Sequence, residues 1–486
     1  MQETLDISSI MHDESRQGEA FTIKQVKSEK EGNRQFYIES YGCAMNFSDS
    51  EIIAAILINE GFKATRHFME ADLILVNTCS IRENAEQRVR QRLTEFSKAK
   101  KQNPSAIIGV LGCMAERLKS KFLEEEKIID IVLGPDAYRD LPILVARAED
   151  GQRSVNVLLS REETYADINP VRLNSNGITA FISIMRGCNN MCSFCVVPFT
   201  RGRERSRDPH SIVAEATDLF AKGYREVTLL GQNVDSYHWQ PGWAGETYNF
   251  AKLLESVAKI NPLLRVRFST SHPKDITDEV LHTMAAHHNI CKHIHLPVQS
   301  GSPEVLKRMN RTYDREWYLE RVETIRKLLP GCGITTDIIT GFCGETDAEH
   351  SDTLSMMEAV KYNMAYMFSY SERPGTPAAK NFKDDVQVAL KAKRLSEIVD
   401  LQHQHQQELH SLEPGKVYEV LAEAISKRST QHLFGRTTEN KVIIFPRNEV
   451  QLGDYVYVQV KEFTSATLFG EIINLNSKSE INRQHK

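Results

Sequence analysis

No stretch of this chain is apolar for long enough to cross a bilayer. Its longest apolar runs, such as 181–185, fall far short of the roughly 20 residues a spanning helix needs. No basic-then-apolar leader opens it; the first residues are polar and of mixed charge, and 1–34 reads as a disordered tail. These absences predict a cytoplasmic protein with no membrane partner. A surplus of positive charge is missing too: 60 Lys and Arg face 65 Asp and Glu, a net charge of −5. Any nucleic-acid partner must then be held by local basic patches. We find no glycine-rich phosphate loop and no hydrolase triad, and the 16 histidines show no metal-ligand spacing. The run 402–405 (Gln-His-Gln-His) reads as the solvated face of a polar helix. What remains is ordinary globular composition, 41% hydrophobic and 26% charged over 486 residues, enough for about three domains.

Cysteine is not scarce. Nine cysteines without an export signal predict a reducing compartment, where clustered thiols mean metal or redox chemistry more often than disulfides. Cys188, Cys192 and Cys195 stand as C-x3-C-x2-C in a stretch flanked by Gly187 and Asn189-Asn190, so they sit in a turn. A structural zinc site wants four protein ligands, usually as two separated pairs. Three thiolates in one short loop suit a cubane iron–sulfur cluster whose fourth iron stays open. Three buried core cysteines or a partial zinc knuckle are the alternatives.

The segment 35–149 reads as α/β. Strands are expected at 36–40, 72–78, 106–111 and 128–133. One helix is expected from an N-cap at Ser48-Asp49 to about 60, with Gly61 as its stop, and another over 82–101. Cys43, Cys79 and Cys113 each follow a strand's C-terminal end. Strands separated by helices form a parallel sheet, whose ligand sites lie beyond the strands' carboxyl ends. The topology thus predicts a second three-thiolate site; a buried structural cysteine is the alternative for any one of them.

After a linker over 150–177, six strand-like runs alternate with amphipathic segments: 180–186, 226–231, 265–269, 293–297, 334–340 and 365–369. The helical runs are 211–222, 250–259, 277–286, 317–328 and 348–360. This predicts a partial parallel (β/α)6 barrel over 178–412, with its chemistry at the C-terminal rim. Directly after the cysteine loop, Arg201, Arg203, Arg205 and Arg207 make a local cationic patch able to grip phosphates; a solvated loop of salt bridges is the alternative. In 413–476 five short alternating runs predict a small antiparallel β-barrel of the oligonucleotide-binding type, and 477–486 reads as a second tail. That module's charge is balanced, so RNA affinity needs one-sided display and stacking by residues such as Phe434.

The cysteine loop resembles that of the radical S-adenosylmethionine enzymes. Its context resembles the methylthiotransferases: Cys43 within Tyr-Gly-Cys-Ala-Met-Asn, Cys79 within Asn-Thr-Cys-Ser-Ile-Arg, Cys113 within Gly-Cys-Met-Ala. Strings 195–207, 267–273 and 296–302 are similar to those of isopentenyladenosine-tRNA methylthiotransferases. The resemblance implies two [4Fe–4S] clusters, an auxiliary one on Cys43, Cys79 and Cys113 and a radical-generating one on Cys188, Cys192 and Cys195. It implies S-adenosylmethionine held near Phe194, Gln232, Asn233, Ser269, Gln299 and Gly341, and a C-terminal RNA-binding TRAM domain. The implied reaction is 2-methylthiolation of isopentenyladenosine at position 37 of tRNA. One S-adenosylmethionine gives the methyl group and another the 5′-deoxyadenosyl radical. The implied partners are the anticodon stem-loop and an external reductant of the flavodoxin or ferredoxin type, acting on a monomer. An aspartate of a small-subunit ribosomal protein is the alternative substrate, and a non-catalytic iron–sulfur RNA-binding or electron-transfer protein the alternative class. The loop 341–346 departs from the family's Gly-Phe-Pro-Gly-Glu-Thr by carrying Cys343; that cysteine lacks nearby partners and, like Cys291 and Cys332, reads as structural.

Overall fold

The structure, a computed structural model, describes residues 32–79, 83–173, 175–241 and 246–473. Most of the two expected tails lies outside them. Strands β1 (Gln35–Tyr41), β2 (Lys63–Ala64), β3 (Leu73–Thr78), β4 (Ile107–Gly112), β5 (Ile131–Leu133) and β6 (Ser154–Asn156) form one parallel sheet, ordered β2-β1-β3-β4-β5-β6. The central strands are continuously apolar because both faces are covered. Ile38, Leu73 and Leu75 pack on one side with Ile53 and Leu57 of helix α1 (Ala44–Asn59). On the other side Ile74, Val76 and Val110 pack with Val89, Leu93 and Phe96 of helix α2 (Glu83–Gln102).

Two expectations need correction here. Helix α1 does not start at Ser48-Asp49; it starts at Ala44, with Cys43 in the N-cap position. Ser48, Asp49 and Ser50 are buried within the helix, where the side chains of Asp49 and Ser50 meet partners from other elements. Nor is 150–177 a plain linker. It supplies the sixth strand, and Tyr165 and Leu173 are buried in the first domain's core. The Tyr165 ring stacks on Tyr138 and its hydroxyl donates to the Pro135 carbonyl at 2.9 Å.

The central region carries β7 (Thr179–Ser183), β8 (Met185–Arg186), β9 (Arg205–Ser206), β10 (Glu226–Leu230), β11 (His238–Trp239), β12 (Tyr248–Asn249), β13 (Arg265–Ser269), β14 (His293–His295), β15 (Gly333–Thr340) and β16 (Met364–Ser369). Two parallel three-stranded sheets, β7-β10-β13 and β14-β15-β16, are joined by the bridge between Val266 and Ile290. Six parallel strands thus make an open barrel, with helices such as Pro209–Ala221, Phe250–Ala258 and Asp347–Val360 outside. Those helices start where the sequence supplies a cap: Asp208, Asn249 and Thr346 each accept from backbone amides of the first turn.

A 24-residue helix, Val388–Ser411, leads to the last module. Here Gln402 and His405 are buried, correcting the solvated reading of that run; Gln402 Nε2 donates to the Tyr362 carbonyl at 3.0 Å. Strands β17 (Val417–Ser426), β18 (Ser429–Arg436), β19 (Val442–Pro446), β20 (Tyr455–Phe463) and β21 (Leu468–Ile472) close in the order β17-β18-β19-β21-β20. The barrel is not purely antiparallel: β19 and β21 run parallel and form its closing seam. It docks on the N-terminal ends of β10 and β13. Arg436 reaches Glu226 at 3.0 Å, while Arg265 and Arg267 donate to the carbonyls of Arg436 and Thr437, each at 2.6 Å.

Candidate functional site

Three adjacent strands end together. The register pairs Tyr41 with Thr78 and Thr78 with Gly112, so Cys43, Cys79 and Cys113 emerge side by side from β1, β3 and β4. Glycine is required in the turns. Gly42 has φ +131°, and a Cβ there would stand 2.3 Å from that of Cys79; Gly112 has φ +90°. Behind the turns Asn46 Nδ2 donates to the Thr78 carbonyl at 2.9 Å and Asn77 Nδ2 to the Asn46 carbonyl at 2.8 Å. A hydrogen bond from Cys79, with help from the Arg201 guanidinium, brings the Cys43 thiol down to about 6. Burial pushes Cys113 up, against the opposing pull of Arg201.

The second triad lies between β8 and the helix Val197–Thr200. Its loop is tied at both ends: Gly187 N donates to Gln232 Oε1 at 2.6 Å, Cys188 N to the Gly202 carbonyl at 3.2 Å, and Ser193 N to the Met309 carbonyl at 2.9 Å. Burial raises the Cys188 thiol to about 11 and the Cys195 thiol to about 12. Arg311 Nη1 donates to Cys192 Sγ at 3.2 Å. Among the described residues no three thiol, imidazole or carboxylate groups stand as ligands of a single ion. A cubane does not ask for that, since each thiolate binds a different iron.

Between the triads runs a buried ionic seam, and it corrects the reading of the arginine run as a phosphate-gripping patch. Arg201 is buried, with Nε donating to Cys113 Sγ at 3.2 Å and Nη2 to Asp49 at 2.8 Å. Arg205 pairs with Asp136 at 2.8 Å, and Arg207 with Glu215. Burial forces each guanidinium to take a carboxylate partner. Of the four, Arg203 alone is exposed. Asp49 also accepts from Arg186, whose guanidinium lies over the Tyr165 ring. One helix residue of the first domain thereby grips the residues on both sides of the second triad.

The barrel rim collects polar atoms without partners. Asn233 Oδ1 and Gln299 Oε1 are buried without a hydrogen-bond partner among the described residues, while the buried Asp235 carboxylate faces Ser271 and His272 Nδ1 stands 3.8 Å from Asp275. Such orphans are costly unless a polar ligand satisfies them. Ser269 ends β13, with its hydroxyl 3.3 Å from that of Thr270. Gln299 is held at φ +71° by its bridge to Ile338. Gly341 N donates to Glu345 Oε2 at 2.6 Å and Phe342 N to the same oxygen at 3.1 Å, so Glu345 sets the 341–346 loop despite Cys343, which is buried against Phe342 and Tyr370. Phe194 packs on that apolar cluster.

Comparison with known proteins divides the chain into three matched stretches. Residues 182–357 match the Radical SAM superfamily, 35–134 the Uncharacterized protein family UPF0004, and 411–473 the TRAM domain. A tRNA-2-methylthio-N(6)-dimethylallyladenosine synthase of Amoebophilus asiaticus (strain 5a2) is 60% identical over 90% of this chain and 92% of its own length. Another, from Christiangramia forsetii, is 55% identical over 96% of this chain and 99% of its own length. The chain belongs to the family of tRNA-2-methylthio-N(6)-dimethylallyladenosine synthases. Among solved structures, the radical S-adenosylmethionine methyltransferase TsrM of Kitasatospora setae covers 71% of this chain, and the match spans 75% of that chain, at TM-score 0.53 and 17% identity, a likeness of fold alone.

Residue spacing does not reveal two positions that the structure of this family member places against the triads. Asp49 resembled a helix cap, and Arg311 has no motif around it. One signal was available, a carboxylate a few residues after Cys43; Arg311 stands in a polar stretch with Arg308 and Arg315 close by and carries none.

Proposed function

We propose that this chain converts N6-isopentenyladenosine at position 37 of tRNA into its 2-methylthio derivative. The observation that carries this reading is the contact of Arg201 with Cys113. It brings the loop following one cysteine triad onto a ligand of the other, inside one buried seam. The residues fit two cubane clusters: each triad is short of one ligand, two glycine turns leave room where a Cβ would clash, and a guanidinium stands ready to balance thiolate charge. Cys43, Cys79 and Cys113 would hold the auxiliary cluster; Cys188, Cys192 and Cys195 the radical-generating one. Bound there, the clusters supply the electron that cleaves S-adenosylmethionine and the sulfur that is transferred.

The chain's own part is positioning and exclusion of water. The orphaned atoms of Asn233 and Gln299, with Gly341 and Ser269 beside them, suit the polar groups of S-adenosylmethionine. Asp49, Arg186 and Arg201 fix how far one site stands from the other. For tRNA the exposed Arg203 is one contact. The outer face of the C-terminal barrel offers another: Phe434, Ile444 and Phe469 pair side by side across β18, β19 and β21, while Leu433, Ile443 and Leu468 fill the interior. Aromatic rings on a barrel face stack on unpaired bases. An external reductant supplies electrons, and the protein acts as a monomer in the cytoplasm.

The test is turnover of anaerobically reconstituted protein with S-adenosylmethionine, reductant and prenylated tRNA, with the small-subunit ribosomal protein assayed in parallel. A methylthio nucleoside from the tRNA alone is expected. A methylthio group found only on the ribosomal protein, or no cleavage of S-adenosylmethionine, overturns the reading.

A further inference from the structure

Each cysteine triad has one guanidinium donating to one of its thiols, buried at Arg201 and half-buried at Arg311, and the two groups differ in what balances them. Arg201 Nε reaches Cys113 Sγ at 3.2 Å, and its Nη2 reaches Asp49. Asp49 is shared with Arg186, so one carboxylate serves two buried cations. Arg311 Nη1 reaches Cys192 Sγ at 3.2 Å. Its other nitrogens go to neutral groups, the Tyr313 hydroxyl at 2.9 Å and the Pro297 carbonyl at 2.9 Å, and its plane lies by the Tyr313 ring. Among the described residues no carboxylate pairs with it. Each triad therefore faces one positive charge, buried at Arg201 and half-buried at Arg311, that the described carboxylates do not fully balance. Such charge is stable only beside an anion, and a cubane carried by three thiolates is anionic.

A donor and a positive charge at a ligand sulfur favour the reduced, more negative state of a cluster and raise its potential. We propose that Arg201 and Arg311 are positioning residues that set the reduction potentials of the two clusters separately, Arg201 that of the auxiliary cluster and Arg311 that of the radical-generating one. The inference rests on the two-cluster reading above. It has an asymmetry built in. Arg311 belongs to the same domain as its thiol, whereas Arg201 comes from the loop after Cys195 and reaches across to the first domain. The auxiliary site thus acquires its full charge environment only when the two domains are docked.

The test is a redox titration followed by electron paramagnetic resonance on the full chain, anaerobically reconstituted, as wild type, Arg201→Met, Arg201→Lys, Arg311→Met and Arg311→Lys. Signals are assigned with each site's three cysteines replaced by alanine in turn. Arg201→Met is expected to shift the auxiliary midpoint downward and leave the other in place; Arg311→Met does the reverse; each lysine variant restores part of the shift. Should Arg201→Met not retain iron, Asp49→Asn reads the same charge from its other side and is expected to raise the auxiliary midpoint. Midpoints that stay put in variants with full iron, or that move together whichever arginine is changed, overturn the proposal. Wild type that holds only one cluster overturns the functional reading instead, so the two failures are distinguishable.

Discussion

Asp49 Oδ2 accepts from Arg201 Nη2 at 2.8 Å, with side chains 0% and 3% exposed. The pair joins the helix that begins at Cys43 to the segment that follows Cys195, and Arg186 adds a second strut from the other side of the same loop. Removing one member of a buried pair leaves the other charged and unsolvated. Asp49→Ala is expected to cost about 3–5 kcal/mol, read as a lower urea midpoint. It also loosens the spacing of the two sites. Methylthiolation should fall at least about 100-fold, since misplacement of about 1 Å costs that much, while reductive cleavage of S-adenosylmethionine persists. Equal loss of both activities would contradict a spacing role.

Two glycines separate the two triads experimentally. A Cβ on Gly42 meets the Cys79 Cβ at 2.3 Å, and one on Gly187 meets the Arg203 carbonyl oxygen at 2.0 Å; both have positive φ, +131° and +80°. Neither obstacle is the far end of a flexible side chain. Gly42→Ala should abolish iron loading at the auxiliary triad only, and Gly187→Ala at the other triad only, so each variant binds about half the wild-type iron. Iron analysis with visible absorption checks this. Full iron in Gly42→Ala would mean that the first turn is not constrained by its metal.

The two cysteine triads were legible in the sequence because each leaves a local trace. Cys43, Cys79 and Cys113 each follow an apolar run, and the run's end is a strand's end. The barrel was legible for the same reason: alternating periods of strand and helix are local. The arginine run misled because charge says nothing about burial. Arg201, Arg205 and Arg207 read as a patch, yet their carboxylate partners Asp49, Asp136 and Glu215 lie 152, 69 and 8 residues away. Ser48 and Asp49 looked like a cap because they are polar, and their burial is decided by a different domain. The strand Ser154–Asn156 hid in an apparent linker because only three residues of it pair.

Charged groups tie the C-terminal barrel to the central strands. Glu226 is fully buried and accepts from Arg267 at 2.8 Å and Arg436 at 3.0 Å. Its carboxyl is held below the usual range: burial opposes this, and Arg267 and Arg436 together outweigh it. A depressed carboxylate contributes stability that is complete above its unfolded value and is lost as pH falls through the folded one. Docking should weaken on acidification, and Glu226→Gln should weaken it at neutral pH by about 3–5 kcal/mol. Limited proteolysis reads this as faster cutting near 412–416. Cleavage of S-adenosylmethionine should survive in the variant, whereas tRNA affinity falls. Unchanged proteolysis would show that the seam is not what holds the barrel.

Asp235 gives the opposite pH signature. It follows β10 at the barrel rim, its oxygens are buried, and burial, opposed by a hydrogen bond from Ser271 and reinforced by Asp275, pushes its carboxyl up to about 7. The native state therefore keeps a proton that the unfolded chain loses near pH 4. Stability from this group falls as pH rises from about 4 through 7, and the penalty is complete above that. Asp235→Asn removes it. The metal-free variant should match wild type near pH 4 and exceed it by about 4 kcal/mol at pH 8, with the gap widening in between. Urea melts across that range measure the gap directly. A gap that stays constant with pH would mean that Asp235 is ionised throughout.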